Sequence, residues 1–238
     1  MSNLIQSLWI GPRLSAMERL SVLSFLNQGH EYHLYVYEDV AEVPRGAVVR
    51  DAREILPAAA IFQYSDYETY SGFSNFFRYK LLIERGGWWV DTDVVCLKPF
   101  AFDSDHVFAS ETSRGQPIIS SAVIKAPQGS RAMAYAWRVC ESKDPAGLQW
   151  GETGPRLLAA AVDHCELQRY VQPREVFCPI DYSQWERILD ADDEFELDPS
   201  SSAVHLWHEM WRRAGRDKDA DYDSGCLYER LKRSILAR

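Results

Sequence analysis

The sequence predicts an α/β fold whose central sheet is at least partly parallel. Strand, helix and strand patterns alternate within the first forty residues, which is typical of a β-α-β unit. A second helical pattern ends at a glycine pair, and a strongly β-prone aromatic run follows it directly. With 238 residues, 46% of them hydrophobic, the chain can bury the core of one domain spanning residues 1–238.

Short local signals define the first β-α-β unit. The apolar run Leu4–Ile10 predicts a strand, which a Gly-Pro pair closes. Ser15 and Glu18 have the spacing of a capping box, so a helix is predicted to begin there and to run to about Gln28. Tyr32–Tyr37 is the second predicted strand.

The second predicted helix begins near Ser71 or Ser74 and runs to Glu84, because its apolar residues keep helical spacing. Gly86-Gly87 ends it, since glycine takes the left-handed conformation of a helix C-terminus without strain. The aromatic run at residues 88–90 then predicts a short buried strand.

The remaining elements continue this alternation to the end of the chain. Further strands are predicted at Val94–Leu97, Ile118–Ile124 and Val204–Trp207. Further helices are predicted at Gly129–Cys140, Pro155–Val162 and Gly225–Leu236. The acidic, broken stretch from Asp190 to Asp223 is predicted to lie on the surface.

The charge balance excludes one broad class of function. Lys and Arg total 26 against 35 Asp and Glu, which gives a formal net charge of −9. General nucleic-acid-binding proteins present an excess of basic side chains to the phosphates, so no nucleic-acid partner is expected.

Other features bear on location. No apolar run approaches the length of a membrane span, and the first residues lack the basic start of a signal peptide. The five cysteines are odd in number and scattered, which suits a reducing compartment better than a disulfide framework. A cytoplasmic protein without a transmembrane segment is therefore expected, and peripheral contact with a membrane stays open.

Asp91 and Asp93 are the strongest candidates for chemistry. Asp-x-Asp recurs elsewhere in the chain, but this pair directly follows the predicted buried strand. On a continuing strand the two residues would point to the same side, about 6 to 7 Å apart. Two neighbouring carboxylates repel each other unless a cation compensates them, and a divalent ion with oxygen ligands is the natural partner. Two solvated acids at the end of a strand are the alternative interpretation.

A different enzyme class also fits this segment. An apolar strand followed by Asp-x-Asp-x-Val matches the nucleophile motif of haloacid-dehalogenase-type phosphatases, in which Asp91 would attack phosphorus. That family usually carries the motif on its first strand, whereas here a β-α-β unit and a second helix precede it. The phosphatase hypothesis is therefore a minor alternative.

The segment from Phe73 to Asp93 resembles the DxD-containing sugar transferases of glycosyltransferase family 32. It contains a polar-x-x-Arg helix (Asn75, Arg78), a glycine stop, an aromatic strand and then Asp-x-Asp. Three further segments match in the same order: Leu8-Trp9-Ile10-Gly11, Thr153-Gly154-Pro155, and His205-Leu206-Trp207 with Trp211 four residues later. The family includes capsule and lipopolysaccharide sugar transferases and, more distantly, the clostridial glucosylating toxins.

The resemblance implies a GT-A-type single domain with a Rossmann-like nucleotide-binding β-α-β core and a mixed central sheet. The nucleotide-sugar-binding part would span about residues 1–125, and acceptor-side and closing elements about residues 126–238. Asp91, Asp93 and Arg78 would be catalytic. Asp93, His205 and Asp91 would bind Mn²⁺ or Mg²⁺, which neutralises the departing diphosphate. The donor-binding residues would be Trp9, Ile10, Asn75, Arg78, Asp91 and Trp207, with Trp9 stacked on the base.

The implied reaction moves a hexosyl unit from a nucleotide sugar to a saccharide hydroxyl. A UDP-sugar is favoured and a GDP-sugar is the alternative, while the acceptor would be a saccharide or a lipid-linked saccharide. The product would belong to surface polysaccharide or glycan synthesis. Retention of anomeric configuration is implied by the resemblance alone, because no carboxylate in the sequence identifies itself as a covalent nucleophile.

Two positions depart from the family pattern. Asn75 stands where the family usually has Asp, so an acceptor oxygen is kept but its charge is lost. Ser120-Ser121 stands where an Asn is usual. The first departure keeps a second hypothesis open, namely a nucleotide-sugar-binding protein with weak or no turnover.

Overall fold

The computed structural model describes residues 4–64, 67–113, 115–192 and 196–236. It confirms the predicted α/β fold class, with a six-stranded mixed sheet at its centre. The strands are β1 (Leu4–Trp9), β2 (Glu31–Val36), β3 (Val48–Asp51), β4 (Gly87–Val90), β5 (Val94–Cys96), β6 (Val107–Ser113), β7 (Gln116–Ala126) and β8 (Ala203–His205). The α-helices are α1 (Ala16–Asn27), α2 (Ser71–Arg85), α3 (Arg131–Glu141), α4 (Pro155–His164), α5 (Arg174–Phe177), α6 (His208–Arg213) and α7 (Leu227–Ile235).

The order of strands in the central sheet is β3-β2-β1-β4-β7-β6. The first four of these run parallel to one another, whereas β7 is antiparallel to both β4 and β6. The chain leaves β1 toward β2 on one side, and β4 lies against β1 on the other. In open α/β sheets, ligands bind in a crevice at the carboxyl ends of the strands where the order reverses, so a ligand site is expected at these ends of β1 and β4.

Two apolar cores lie on opposite faces of this sheet. One is formed with α1, α7 and the small sheet of β5 and β8, and the other with α2, α3 and α4. Successive strand residues alternate between them, so Trp88 belongs to the first core and Trp89 to the second. Both indoles are almost fully buried, which fixes β4 firmly in the centre of the molecule.

Several predicted boundaries are confirmed by their local chemistry. The Ser15 side chain accepts a hydrogen bond from the Met17 amide, and the Glu18 carboxylate accepts one from the Ser15 amide, which completes the capping box of α1. Gly86 ends α2 with a φ of 65°. A Cβ at Gly86 would lie 2.5 Å from the backbone nitrogen of Gln128, so only glycine fits there.

Other expectations were wrong. Asp91 and Asp93 do not continue a strand, because they lie in a turn that the Val94 amide closes on the Asp91 carbonyl at 3.1 Å. The stretch predicted to be a broken surface segment contains α6, whose Trp211 is fully buried. Residues 193–195 of that stretch lie outside the described residues. The sequence patterns also missed β3, β6 and α5, which are an exposed edge strand, a strand rich in polar residues and a single helical turn.

Two further findings bear on the environment of the chain. No helix within the described ranges is long and apolar enough to span a membrane. All five cysteines lie within these ranges, and all are free thiols.

Candidate metal and donor site

The Asp-x-Asp turn lies at the carboxyl end of β4, beside the carboxyl end of β1. Parallel pairing of Gln6 with Trp89 aligns the two strands, and the Ser7 hydroxyl donates to the Val90 carbonyl at 2.6 Å. Trp9 therefore ends β1 on the same edge at which Asp91 and Asp93 follow β4. The turn thus lies where a ligand site is expected.

Asp91, Asp93 and His205 converge at this edge, although the histidine is far away in sequence. Each side chain offers one potential ligand atom, and these atoms lie within 4.8 Å of one another. The Nε2 atom of His205 is 3.2 Å from Oδ2 of Asp93. The same carboxylate oxygen accepts a hydrogen bond of 2.8 Å from the His208 amide. The structure thus brings together the three residues proposed to bind the metal.

Strand pairing brings His205 to the turn. β8 is antiparallel to β5, with His205 opposite Val94, and the Leu206 amide donates to the Asp93 carbonyl at 2.9 Å. Trp207 then takes the left-handed conformation with a φ of 59°, which is uncommon for a bulky residue. This turn separates β8 from α6, so that the His205 ring and the His208 amide both reach Asp93.

Asp91 is held by a different set of contacts, which come from α2 and β4. Arg78 places Nη2 3.1 Å from Oδ1 of Asp91, and the Trp89 indole donates to the same oxygen at 2.8 Å. The Arg78 guanidinium also lies 4.9 Å from the Trp89 ring centroid and donates to the Ser121 carbonyl and to Ser74. Arg78 is therefore largely committed to protein acceptors, and its direct effect is to fix Asp91.

The charges of the two acids are balanced unequally. Burial and the negative charge of Asp93 raise the pKa of Asp91, and Arg78 offsets only part of that shift. Burial would also raise the pKa of Asp93, but the charge of His205 and hydrogen bonds from His205 and His208 bring it below its ordinary value. Burial would lower the pKa of His205, yet the charge and hydrogen bond of Asp93 raise it well above 6.5. The raised pKa of Asp91 means that its surroundings do not fully compensate the charge of its carboxylate form. A further cation would stabilise that form.

These three side chains fit a divalent cation. Two carboxylates and one imidazole match the ligands that Mn²⁺ and related ions take in proteins. Arg78 holds one oxygen of Asp91, and His208 holds one oxygen of Asp93, so both carboxylates are oriented before an ion binds. The site can therefore hold one ion at the edge where a ligand would enter.

Trp9 and Ile10, predicted to contact the donor, border the same edge. Both are partly buried, each against a different apolar core. The Trp9 Nε1 atom is shielded from solvent and lacks a hydrogen-bond partner in the described part of the chain. Lys218 places its ammonium 5.3 Å from the Trp9 ring centroid, and it is paired with Glu18 at 2.5 Å. The Lys218 ammonium, paired with Glu18, thus lies over the Trp9 indole at the end of β1.

Asn75 and Trp207 were also predicted to bind the donor, but both are buried and make hydrogen bonds within the protein. Asn75 is 6% exposed, and its amide nitrogen lies 3.4 Å from the Thr153 hydroxyl, just before α4. The Trp207 indole donates to the Ile180 carbonyl at 2.9 Å, and its ring centroid is 3.9 Å from that of His205. The contacts of Trp207 therefore orient His205, and those of Asn75 join α2 to the start of α4.

The sequence patterns missed four side chains at or beside the site. Glu111 and Cys178 lie next to His205 with potential ligand atoms within 4.8 Å, while His208 and Lys218 lie near Asp93 and Trp9. No motif pointed to Glu111, Cys178 or Lys218, because their proximity depends on tertiary contacts. His208 could have been found, since it directly follows the His-x-Trp segment.

Two protein-family models match the chain. The glycosyltransferase sugar-binding region containing the DXD motif matches residues 15–114, which include Asn75, Arg78, Asp91 and Asp93. The alpha 1,4-glycosyltransferase conserved region matches residues 146–235, which include His205. Trp9 lies outside both matches. No curated protein sequence matches the chain significantly.

Solved structures of glycosyltransferases are similar to this chain. The PaToxG glycosyltransferase aligns over 98% of this chain and 85% of its own, with a TM-score of 0.51 and 11% identity. The glycosyltransferase GlyE of Streptococcus pneumoniae TIGR4 aligns over 98% of this chain and 64% of its own, with a TM-score of 0.45 and 12% identity. The first of these likenesses supports the GT-A-like fold.

The fold and the matched regions together define the glycosyltransferase class, and they favour it over the phosphatase alternative. Within this class, the match over residues 15–114 makes the chain similar to the DXD-containing glycosyltransferases. The resemblance noted in the sequence is thereby confirmed.

Proposed function

We propose that this glycosyltransferase moves a hexosyl unit from a nucleotide sugar, with a UDP-sugar favoured, to a saccharide hydroxyl in a metal-dependent reaction. One observation carries the proposal: Asp91, Asp93 and His205 converge at the carboxyl end of β4, where β4 lies beside β1. Nucleotides bind at such strand ends in open α/β sheets. An oxygen-rich ligand set at these ends suits an ion that contacts a diphosphate.

We assign the donor-side contacts from the same geometry. Trp9 would stack on the base at the end of β1, and its unpartnered indole nitrogen could donate to the donor. Lys218 would add positive charge for the diphosphate beside Trp9. Ile10 would border the base, while Asn75 and Trp207 would act mainly by supporting the residues that contact the donor.

The chain prepares its acids for the reaction. Arg78 and the Trp89 indole hold Asp91, while the His208 amide holds Asp93, so both carboxylates are oriented before the donor enters. The bound cation supplies electrostatic stabilisation of the leaving diphosphate. Asp91 would also accept hydrogen bonds from donor hydroxyls through its exposed side, since its side chain is 26% exposed.

We propose Mn²⁺ as the working ion. Mg²⁺ prefers a shell of oxygen ligands with several waters, whereas His205 offers an imidazole nitrogen. The proposal also takes residues 1–125 as the donor-binding part and residues 126–238 as the acceptor-side part of one domain. Asp93 comes from the former and His205 from the latter, so the ion would join them.

The acceptor and the cellular role complete the proposal. The acceptor would be a saccharide, free or lipid-linked, the reaction would proceed with retention, and the product would serve surface polysaccharide or glycan synthesis. These assignments rest on the family resemblance. The five free cysteines favour a reducing compartment, so we place the protein in the cytoplasm.

A thermal-shift panel tests the proposal directly. UDP-, GDP- and CMP-sugars would each be added with Mn²⁺, with Mg²⁺ or with a chelator, and the unfolding temperature measured. A ligand at a hundred times its Kd stabilises the native state by about 2.7 kcal/mol, which is readily detected. We expect stabilisation by a UDP-sugar only with a divalent ion, and more with Mn²⁺ than with Mg²⁺.

Variants separate this site from nonspecific binding. Asp93→Ala should abolish the metal-dependent shift, whereas Asp221→Ala should retain it, because Asp221 is a fully exposed acid from another Asp-x-Asp pair. Absence of any shift with every nucleotide sugar and ion would refute the proposed donor site.

A donor-binding protein with weak turnover is the second candidate, and the Asn75 amide favours it. That side chain is neutral and engaged with Thr153, so a charge that the family usually places near the sugar is absent. Hydrolysis of the bound nucleotide sugar in the absence of acceptor separates the two hypotheses. Slow donor hydrolysis supports the transferase, and metal-dependent binding with no hydrolysis and no transfer supports the binding protein.

A further inference from the structure

A second group of potential metal ligands shares His205 with the Asp-x-Asp site. Glu111 comes from β6, Cys178 follows α5 directly, and His205 ends β8. One carboxylate oxygen, the thiol sulfur and one imidazole nitrogen lie within 4.8 Å of one another. Three elements that are distant in sequence thus place oxygen, sulfur and nitrogen donors together.

The imidazole supplies independent evidence that this cluster lacks a component. His205 is 7% exposed, and its Nε2 atom faces Asp93 at 3.2 Å. Its Nδ1 atom is buried and makes no hydrogen bond of normal geometry within the described ranges of the chain, although the Cys178 thiol interacts with the ring. A buried polar atom without a well-formed hydrogen bond destabilises the fold, so it points to a ligand. Nδ1 is the nitrogen left for the group formed with Glu111 and Cys178.

We propose that Glu111, Cys178 and His205 form a second metal site, selective for a thiophilic divalent ion such as Zn²⁺. Cysteine sulfur, histidine nitrogen and a carboxylate oxygen are the three ligand types that zinc takes in proteins, with bonds of about 2.0 to 2.3 Å. On binding, the S–H bond of Cys178 and the Nδ1–H bond of the protonated His205 ring break, metal–sulfur and metal–nitrogen bonds form, and both protons pass to solvent. No atom is oxidised or reduced in this step.

The observed spacing requires only a small adjustment. Ligand atoms around a tetrahedral zinc ion are about 3.5 Å apart, as follows from these bond lengths. Atoms that already lie within 4.8 Å of one another need to move by roughly an ångström. Glu111 is 9% exposed and Cys178 is fully buried, so an ion would enter past the carboxylate.

The chemistry of imidazole makes this site antagonistic to the first one. A neutral imidazole has one nitrogen that can bind a metal and one that carries a proton. If Nδ1 binds zinc, then Nε2 carries the proton and donates it to Asp93 at the observed 3.2 Å. The Nε2 proton then lies between His205 and Asp93, so Nε2 can no longer bind the ion proposed for the Asp-x-Asp site. Zinc should therefore inhibit metal-dependent donor binding, a consequence that rests on the proposed function, whereas zinc binding itself does not.

Cd²⁺ is the most direct probe, because a cadmium–thiolate bond gives an ultraviolet charge-transfer band. The titration would use the full chain carrying Cys165→Ser, which removes the only partly exposed thiol among the five cysteines. We expect one Cd²⁺ per chain with a charge-transfer band, and displacement of Cd²⁺ by Zn²⁺ but not by Mg²⁺. Cys178→Ser should abolish the band, and Glu111→Gln should weaken Cd²⁺ binding by about 100-fold.

Matched variants decide how the result is interpreted. Cys96→Ser removes another buried thiol and should leave the band unchanged. Asp93→Asn should also retain it, because Asp93 is a ligand only of the first site, so failure of the donor-site proposal does not affect this test. The proposal is overturned if Cys178→Ser, with a normal melting temperature, keeps the band, or if no band forms at saturating Cd²⁺.

Discussion

The two halves of the candidate site are built in different ways. The half around Asp91 consists of contacts between the central sheet and the helix packed on it. These contacts involve Arg78 on α2, the Trp89 indole on β4 and the Ser121 carbonyl on β7. The half around Asp93 depends on the C-terminal part of the chain, which supplies the His205 ring and the His208 amide. In the first half, the Asp91–Arg78 ion pair lies against the buried Trp89 indole. In the second half, the Asp93 carboxylate lies between the His205 imidazole and the first amide of α6.

This difference affects the electrostatics of the two acids. Burial and Asp93 raise the pKa of Asp91, whereas His205 and His208 outweigh burial and lower the pKa of Asp93. Asp93 is therefore the better anion, and Asp91 is the acid that gains more from an added cation.

The largest effect is expected from removing the charge of Asp93. Asp93→Asn keeps the shape but removes the better anionic ligand, so Mn²⁺-dependent donor affinity should fall by at least about 100-fold. Isothermal titration of the nucleotide sugar in the presence of Mn²⁺ measures this loss. Asp221→Asn is the matched control and should bind as the wild type does, because its side chain is fully exposed.

A second prediction concerns the stability of the Asp91 half. Arg78→Met removes the cation paired with Asp91, leaving a largely buried carboxylate without compensation. The free energy of unfolding should fall by about 2 to 4 kcal/mol, since Asp91 keeps some solvent contact. Urea denaturation measures the change. Arg85→Met, which removes an exposed partner of Glu54, should change stability by less than about 0.5 kcal/mol.

The double variant Arg78→Met/Asp91→Asn sharpens this test. Removing both charges leaves no uncompensated carboxylate, so part of the lost stability should return. If the double variant were less stable than Arg78→Met alone, the Arg78–Asp91 pair would not be the source of the loss.

A third prediction uses the pH dependence of the Asp93 half. Asp93 raises the pKa of His205 well above 6.5, so the ring is protonated at neutral pH before an ion binds. The ion must displace that proton, so Mn²⁺ affinity should increase by about tenfold per pH unit up to the raised pKa and then level off. Titrations of Mn²⁺ at several pH values measure the slope. His205→Gln should bind Mn²⁺ more weakly, with a slope near zero; an unchanged slope would exclude His205 as a ligand.

The smallest effect is expected from changing Trp207, the residue that orients His205. Trp207→Phe removes the indole hydrogen bond to the Ile180 carbonyl but keeps an aromatic ring beside the imidazole. Stability should fall by about 1 kcal/mol and Mn²⁺ affinity by a few-fold, because only the orientation of His205 is affected. Trp88→Phe, in the core near Phe100, provides a comparison that should lower stability without changing Mn²⁺ affinity.

Much of the first half of the molecule could be read directly from the sequence. The capping box at Ser15, the glycine at position 86 and the Asp-x-Asp turn after β4 depend on residues close together in the chain. Local signals of this kind act through hydrogen bonds and φ/ψ preferences over a few residues, so the sequence reveals them. The geometry expected of the two acids was wrong in detail, because the chain turns at Asp91 where a continuing strand was predicted.

Local sequence patterns were enough to predict the α/β class and to single out the two acids, and the family resemblance also indicated Arg78 and His205. Only the tertiary structure placed His205 beside Asp93, through the pairing of β5 with β8, and revealed Glu111 and Cys178 next to it. Such contacts depend on pairing between strands that are distant in the chain. Short sequence patterns do not specify the register of that pairing. The sequence therefore specified the ligand types, and the folded chain decided which of them meet.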